Sequence, residues 1–170
     1  MRICLLIIIF IMQFLYSSFA LGVKDTGTIT AVVNIKGLFQ LSMSREIIDF
    51  PDASPGKTAD SDYSVTVVSR SSGGERWYVQ VSNDKPLTSG NNMISNKNLT
   101  WGGTTSGSGK WYGNDYKPFE TYPNVAYRSS EDEGNNTPQG TRNDFKFRLF
   151  VPENQAPGEY TCSVMFTMTE

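Results

Sequence analysis

The chain has 170 residues, with 15 Lys and Arg against 17 Asp and Glu, no His, and a formal net charge of −2. A nearly balanced charge without a basic cluster disfavours nucleic acid and anionic membrane surfaces as partners. The lack of His excludes Ser-His-Asp triads, Cys-His pairs and His-ligated zinc. Neither a phosphate-binding loop nor a dinucleotide-binding motif is present, so we expect no cofactor.

The first twenty residues predict a signal peptide. Arg2 precedes an apolar run over residues 3–16, and the small residues Ser18 and Ala20 follow it. This order is typical of a secretory leader that is cleaved after Ala20. We therefore expect residues 1–20 to be removed. Residues 21–170 then form one exported domain without a membrane span, located at the cell surface, outside the cell or in the periplasm.

The two cysteines cannot pair in the exported chain. Cys4 lies inside the predicted signal peptide, which leaves Cys162 alone. We expect Cys162 to be a small buried apolar residue, because free cysteines are among the most buried residue types. An intermolecular disulfide or a reactive thiol is the alternative.

Short segments in which apolar and polar residues alternate predict β-strands. The segments are residues 28–35, 63–68, 77–82, 144–151 and 159–169, with shorter candidates at 38–42, 93–94, 99–101 and 125–127. Turn-forming clusters separate them, and no segment has sustained helical periodicity. We predict an all-β fold, an antiparallel β-sandwich of Ig-like or jelly-roll-like type with about seven to nine strands. An antiparallel barrel is the alternative.

Residues 102–139 are predicted to form one long, aromatic-rich loop excursion. Its aromatic side chains either fix the segment onto the sandwich or form a binding surface. Rings flanked by Asn, Asp and Ser can stack on sugars and hydrogen-bond their hydroxyl groups, and loops on a rigid sandwich are common binding sites. The candidate ligand-binding residues are Trp111, Tyr112, Tyr116, Tyr122 and Tyr127.

The carboxylates give no clear catalytic or metal site. Glu131, Asp132 and Glu133 lie among Ser, Asn and Gly, which is typical of a solvated loop. Asp60 and Asp62 have the spacing of some calcium loops, but the remaining ligands of that motif are missing. We therefore expect no enzyme and no metal site, and assign no catalytic residue. A carboxylate-based glycoside hydrolase is the only catalytic alternative.

Two passages resemble the WxL domains of bacterial cell-surface proteins. The first begins with Trp77 and Val79, and a Leu-Thr-Ser-Gly turn follows at residues 87–90. The second begins Gly-Glu-Tyr-Thr at residues 158–161 and leads to Phe166 and Met168. Val79 stands where the family has the first Leu, and Phe166 and Met168 stand where it has the second Trp and Leu. The resemblance implies an exported all-β domain that attaches non-covalently to the cell wall, with peptidoglycan as its ligand.

Two functional hypotheses from different classes follow. The leading one is a non-enzymatic, secreted or cell-surface bacterial β-sandwich for adhesion, which associates with the cell wall or another surface glycan. The alternative is a structural subunit, like a fimbrial or coat protein, that assembles by strand pairing with itself or with other surface proteins. Residues 159–169 favour this alternative because they place a strand almost at Glu170, where it can become a free sheet edge.

Overall fold

Antiparallel β-strands and two short 3-10 helices are the secondary-structure elements of the described part of the chain. The structure is a computed structural model that describes Thr30 and residues 37–170. The predicted signal peptide, Cys4 and the predicted strand over residues 28–35 lie outside the described residues. Within residues 28–35, the structure describes Thr30 alone. Thr30 is exposed and belongs to no strand. No helix of the described part is long and apolar enough to cross a membrane.

Twelve strands are present in the described region, and seven of them have five or more residues. They are β1 (Phe39–Met43), β2 (Thr58–Asp60), β3 (Val65–Ser71), β4 (Tyr78–Asn83), β5 (Leu87–Ser89), β6 (Asn92–Ile94), β7 (Leu99–Thr105), β8 (Lys110–Trp111), β9 (Lys117–Pro118), β10 (Asn124–Arg128), β11 (Thr141–Phe150) and β12 (Val164–Thr169). The 3-10 helices are Asn96–Asn98 and Glu131–Asn135.

The strands form two large sheets and one small hairpin. The first sheet has the order β1-β3-β11-β7-β9, and β2 pairs with the C-terminal half of β11. The second sheet has the order β12-β4-β10-β8, while β5 and β6 pair with each other. All of these pairings are antiparallel.

Aromatic side chains from both sheets meet in one core. Phe145 of β11 in the first sheet lies 5.1 Å from Trp111 and 4.7 Å from Phe166, both of the second sheet, measured between ring centroids. Trp101 of β7 approaches Trp111 to 6.2 Å. Burial of each such ring contributes on the order of 2 kcal/mol, and edge-to-face contacts add to it. The predicted antiparallel β-sandwich is therefore confirmed.

Side-chain alternation decides which residues enter this core. Along β11, the even-numbered side chains are exposed or half-buried, whereas Phe145, Phe147 and Leu149 are buried. The same period-two pattern predicted the strand from sequence. The longer predicted strands reappear with shifted ends, whereas the predicted strand over residues 159–169 contains only the six residues of β12.

Residues 102–139 are only partly a loop. The segment contains β8, β9, β10 and the second 3-10 helix, together with the end of β7. Its strands join both sheets, since β9 pairs with β7 while β8 and β10 belong to the second sheet. β8 and β9 were not predicted because two-residue strands have no detectable alternation.

Candidate functional site

The structure divides the five predicted ligand-binding aromatics into a buried and an accessible group. Trp111 is 8% exposed and Tyr127 is fully buried. Tyr112 and Tyr116 are half-buried, and Tyr122 is 66% exposed. Trp111 and Tyr127 therefore belong to the core, and Tyr112, Tyr116 and Tyr122 are the accessible residues of the predicted contact surface.

Cross-strand pairing explains why Trp111 and Tyr127 both point inward. They are direct partners on β8 and β10, so their side chains share one face of the second sheet. The indole Nε1–H of Trp111 donates to the backbone oxygen of Gly103 at 3.0 Å. The ring of Tyr127 lies 5.4 Å from that of Trp77. These contacts fix the aromatic segment onto the sandwich, as the first of the two sequence interpretations expected.

Glu133 is a buried residue that the sequence analysis placed in a solvated loop. Glu131 and Asp132 are exposed, but Glu133 is only 7% exposed. Its carboxylate accepts hydrogen bonds from the Tyr127 hydroxyl, the Ser130 backbone N–H and hydroxyl, and the Thr141 hydroxyl at 2.7 Å. The capping-box spacing of Ser130 and Glu133 is the sequence signal that could have revealed this role.

The hydrogen bonds to Glu133 have a larger combined effect on its pKa than its burial has. Burial alone raises the pKa of this carboxyl group, but the donors from Tyr127, Ser130 and Thr141 together hold the pKa below its ordinary value. The same burial and the hydrogen bond to Glu133 raise the pKa of Tyr127. Because Tyr127 belongs to β10 and Thr141 to β11, the charged carboxylate connects the two sheets.

Tyr116 lies in an accessible groove on the outer face of the first sheet. The groove has a volume of about 340 Å³. It is lined by Asp60, Ser61, Asp62, Tyr63, Ser64, Tyr116, Lys146, Phe147 and Arg148. Aromatic rings, carboxylates, hydroxyl groups and two cations therefore meet in one open depression.

Arg148 connects one wall of the groove to the other. Its Nε donates to Asp60 Oδ1 at 2.7 Å, and its Nη2 donates to Asp60 Oδ2 at 3.3 Å. The ion pair is therefore bidentate. Its guanidinium carbon also lies 4.1 Å from the ring centroid of Tyr116. Asp60 and Arg148 are direct cross-strand partners on β2 and β11, which places both side chains on the same face.

A glycine lets the segment that carries Tyr116 lie flat on the sheet. Gly102 follows the buried Trp101 on β7 and faces outward. A Cβ atom at Gly102 would lie 3.2 Å from the Gly113 oxygen and 3.5 Å from the Tyr116 Cα. The missing side chain is thus what positions Tyr116 above the outward-facing part of β11.

The charges in the groove suit binding better than acid catalysis. The hydrogen bond from Arg148 holds the pKa of the Asp60 carboxyl below its ordinary value, and the same pair raises the pKa of Arg148. Asp62 is engaged elsewhere, since its Oδ1 accepts from the Asp49 backbone N–H at 3.2 Å. A glycosidase acid needs a raised carboxyl pKa, which is the opposite direction.

The other predicted aromatics lie outside this groove. The ring of Tyr112 has the Lys110 Nζ 4.8 Å and the Lys117 Nζ 5.9 Å from its centroid. Tyr122 is the most exposed of the five predicted residues. Neither Tyr112 nor Tyr122 lines the groove that contains Tyr116.

A second cleft is mainly apolar and was not predicted. Its volume is about 450 Å³. Phe50, Leu87, Leu149 and Val151 are among its lining residues. The Tyr160 hydroxyl at its edge is satisfied within the chain, because it donates to the Ala156 oxygen and accepts from the Gln155 amide.

The four WxL-like positions lie on neighbouring strands. Trp77 immediately precedes β4 and Val79 lies on it, and both are fully buried. Phe166 and Met168 lie on β12, where Met168 is the direct partner of Val79. The pairing of β4 with β12 thus brings the two passages together, and Trp77 is a core residue.

Cys162 is half-buried and packs against the core, and it has no disulfide partner in the described part of the chain. Burial raises the pKa of its thiol to about 11, which keeps the reactive thiolate scarce at neutral pH. Cys162 therefore has the apolar environment that the sequence analysis expected, although it is less completely buried.

The sequence matches no protein-family model and has no significant match among curated proteins. The WxL resemblance therefore stays a prediction that rests on the two sequence passages.

Proposed function

We propose that the protein is a non-enzymatic, exported surface module that binds a cell-envelope glycan through the Tyr116 groove. Peptidoglycan is the leading ligand. The observation that carries the proposal is the groove itself, in which Tyr63 and Tyr116 lie beside Asp60, Lys146 and Arg148. It includes one of the aromatic residues that the sequence analysis selected as a sugar contact.

The residue types in the groove match the chemistry of a sugar chain. A tyrosine ring can pack against the apolar C–H face of a pyranose, while carboxylate and guanidinium groups hydrogen-bond its hydroxyl groups. Tyr63 is 54% exposed, and the guanidinium carbon of Arg45 lies over one face of its ring, 3.8 Å from the centroid. Asp60 and Arg148 already hold each other in place, which reduces the entropy lost on binding.

The charge of the groove is compatible with an acidic glycan. Lys146 faces outward on β11 and forms no salt bridge among the described residues. Its ammonium group can pair with a carboxylate of peptidoglycan. The WxL resemblance and the predicted signal peptide independently favour an exported, wall-associated location.

Retention on insoluble glycans tests this proposal. The exported chain is mixed with purified peptidoglycan sacculi, cellulose or chitin and sedimented, and the bound fraction is measured over a range of ligand concentrations. We expect binding to sacculi and about tenfold weaker binding for Tyr116→Ala, because a lost stacking contact of roughly 1.4 kcal/mol has that effect.

Tyr78→Ala is the matched control. Tyr78 is also half-buried and also has a cation near its ring, Arg128 at 5.7 Å, but it lies on β4 of the other sheet. This variant should bind as the parent does. The proposal fails if folded parent protein is not retained on any glycan, or if both variants lose binding equally.

A further inference from the structure

Each tyrosine ring of the groove has an arginine guanidinium over one of its faces. The guanidinium carbon of Arg45 lies 3.8 Å from the ring centroid of Tyr63, and that of Arg148 lies 4.1 Å from the ring centroid of Tyr116. A guanidinium at this distance is attracted by the negative face of the ring and stacks on it. A ligand beside either ring therefore meets a cation as well.

The charges of the two arginines are balanced differently. Arg148 forms the bidentate ion pair with Asp60, which compensates its charge within the chain. Arg45 is exposed, and in the described part of the chain it forms no salt bridge. Stacking engages only the flat face of a guanidinium and leaves the N–H groups at its edge able to donate. Arg45 thus offers hydrogen-bond donors to a carboxylate.

Hydrogen bonds hold Arg45 and Tyr63 beside the groove. Ser44 precedes Arg45 and forms two hydrogen bonds with the Thr66 backbone. The Ser44 N–H donates to the Thr66 oxygen, and the Ser44 hydroxyl oxygen accepts from the Thr66 N–H, both at 2.9 Å. The Ser61 hydroxyl donates to the Tyr63 oxygen at 2.9 Å. Both residues are thus fixed before a ligand arrives, which reduces the entropy lost on binding.

Arg45 gives the groove an excess of positive charge. With Arg45 at its rim, the groove has three cations, the others being Lys146 and Arg148, against the carboxylates of Asp60 and Asp62. The chain as a whole has a net charge of −2, so this excess is local. An acidic sugar is attracted by such an excess, whereas a neutral sugar is not.

We propose that Arg45 and Lys146 make the groove select acidic glycans over neutral ones, by pairing with carboxylate groups of the ligand. The inference rests on the proposed function, because it assigns the specificity of the same groove. Lys146 is exposed, and its direct partner on β7 is Gly102, which has no side chain to cover it. Arg45 can donate two parallel hydrogen bonds to one carboxylate, whereas the Lys146 ammonium acts as a point charge.

Sedimentation with two forms of peptidoglycan tests this selectivity. One sample of purified sacculi is left native, and in the other the carboxylates are converted to neutral amides with a carbodiimide and ethanolamine. We expect the parent to bind the amidated sacculi about tenfold more weakly, because two exposed ion pairs are lost and each contributes a factor of about three.

Arg45→Gln and Lys146→Gln should each bind native sacculi about threefold more weakly than the parent. Each variant should lose less than the parent when the sacculi are amidated, because one of the two ion pairs is already missing. On amidated sacculi both variants should bind as the parent does. If Arg45 only positioned the ring of Tyr63, Arg45→Gln would weaken binding to both forms equally, and this result would overturn its role in selectivity.

Lys110→Gln is the matched control. Lys110 is exposed, lies 4.8 Å from the ring centroid of Tyr112 and forms no salt bridge among the described residues, but it does not line the groove. This variant removes the same charge and should bind both forms as the parent does. A loss as large as that of Arg45→Gln would overturn the inference, because the effect would then come from net charge alone.

The assay also separates this inference from the proposed function. If the parent binds both forms equally while Tyr116→Ala is weaker on both, the groove binds glycan and the selectivity is refuted. If folded parent is retained on neither form nor on the neutral glycans, the proposed function fails together with the selectivity.

Discussion

Glu133 shows how one buried charge can connect two sheets. Its carboxylate has hydrogen-bond donors from β10, from β11 and from the residue that precedes the second 3-10 helix. We expect Glu133→Gln to lower the free energy of unfolding by about 1–3 kcal/mol. The N–H₂ group of the Gln side chain would face hydrogen-bond donors, which would then lack an acceptor. Denaturant unfolding at neutral pH measures this loss.

The effect of Glu133 should depend on pH in a defined direction. Its pKa in the folded protein is lowered, so the charged form stabilises the fold fully above the ordinary pKa of about 4.5. This contribution is lost as the pH falls through the folded-state pKa. The difference between parent and Glu133→Gln should therefore shrink in acid. Glu131→Gln is the control with little expected effect, since Glu131 is exposed and pairs only with Arg76 at the surface.

At the scale of elements, β7 supports the groove through Gly102. Gly102→Val would place a branched side chain against the Gly113 oxygen and Tyr116. We expect a loss of about 1–3 kcal/mol in stability from overpacking, together with weaker glycan retention because Tyr116 is displaced. Thermal unfolding and the sedimentation assay measure the two effects.

Thr104→Val is the control on the same strand and the same face. Thr104 is exposed and pairs with Asp144, and a β-branched residue already occupies its position. The stability and the glycan retention of Thr104→Val should match those of the parent. A stable Gly102→Val variant with full glycan retention would show that the segment from Gly113 to Tyr116 does not depend on close contact with β7.

Local alternation was enough to predict most of the elements but only part of the site. β11 and β4 were predictable because their core-facing residues repeat with period two. The groove depends on the pairing of Asp60 with Arg148, which are 88 residues apart, and no local pattern contains that contact. Trp111 and Tyr116 occur in similar Gly-rich surroundings, so composition could not show that one is buried and the other lines the groove. Sheet pairing decides this, since Trp111 faces Tyr127 on the inner side.

At the scale of the whole molecule, the proposed glycan groove predicts in which cell fraction the chain is found. A glycan-binding module should stay with washed cell-wall material and leave it on wall digestion or in denaturant, because its attachment is non-covalent. We expect that result when native cells are separated into medium, soluble extract and wall, and the chain is followed by immunoblot. Tyr116→Ala should move a large share into the soluble fractions, while the control Tyr78→Ala should remain on the wall. Equal retention of Tyr116→Ala and the parent on the wall would mean that the groove does not hold the protein in place.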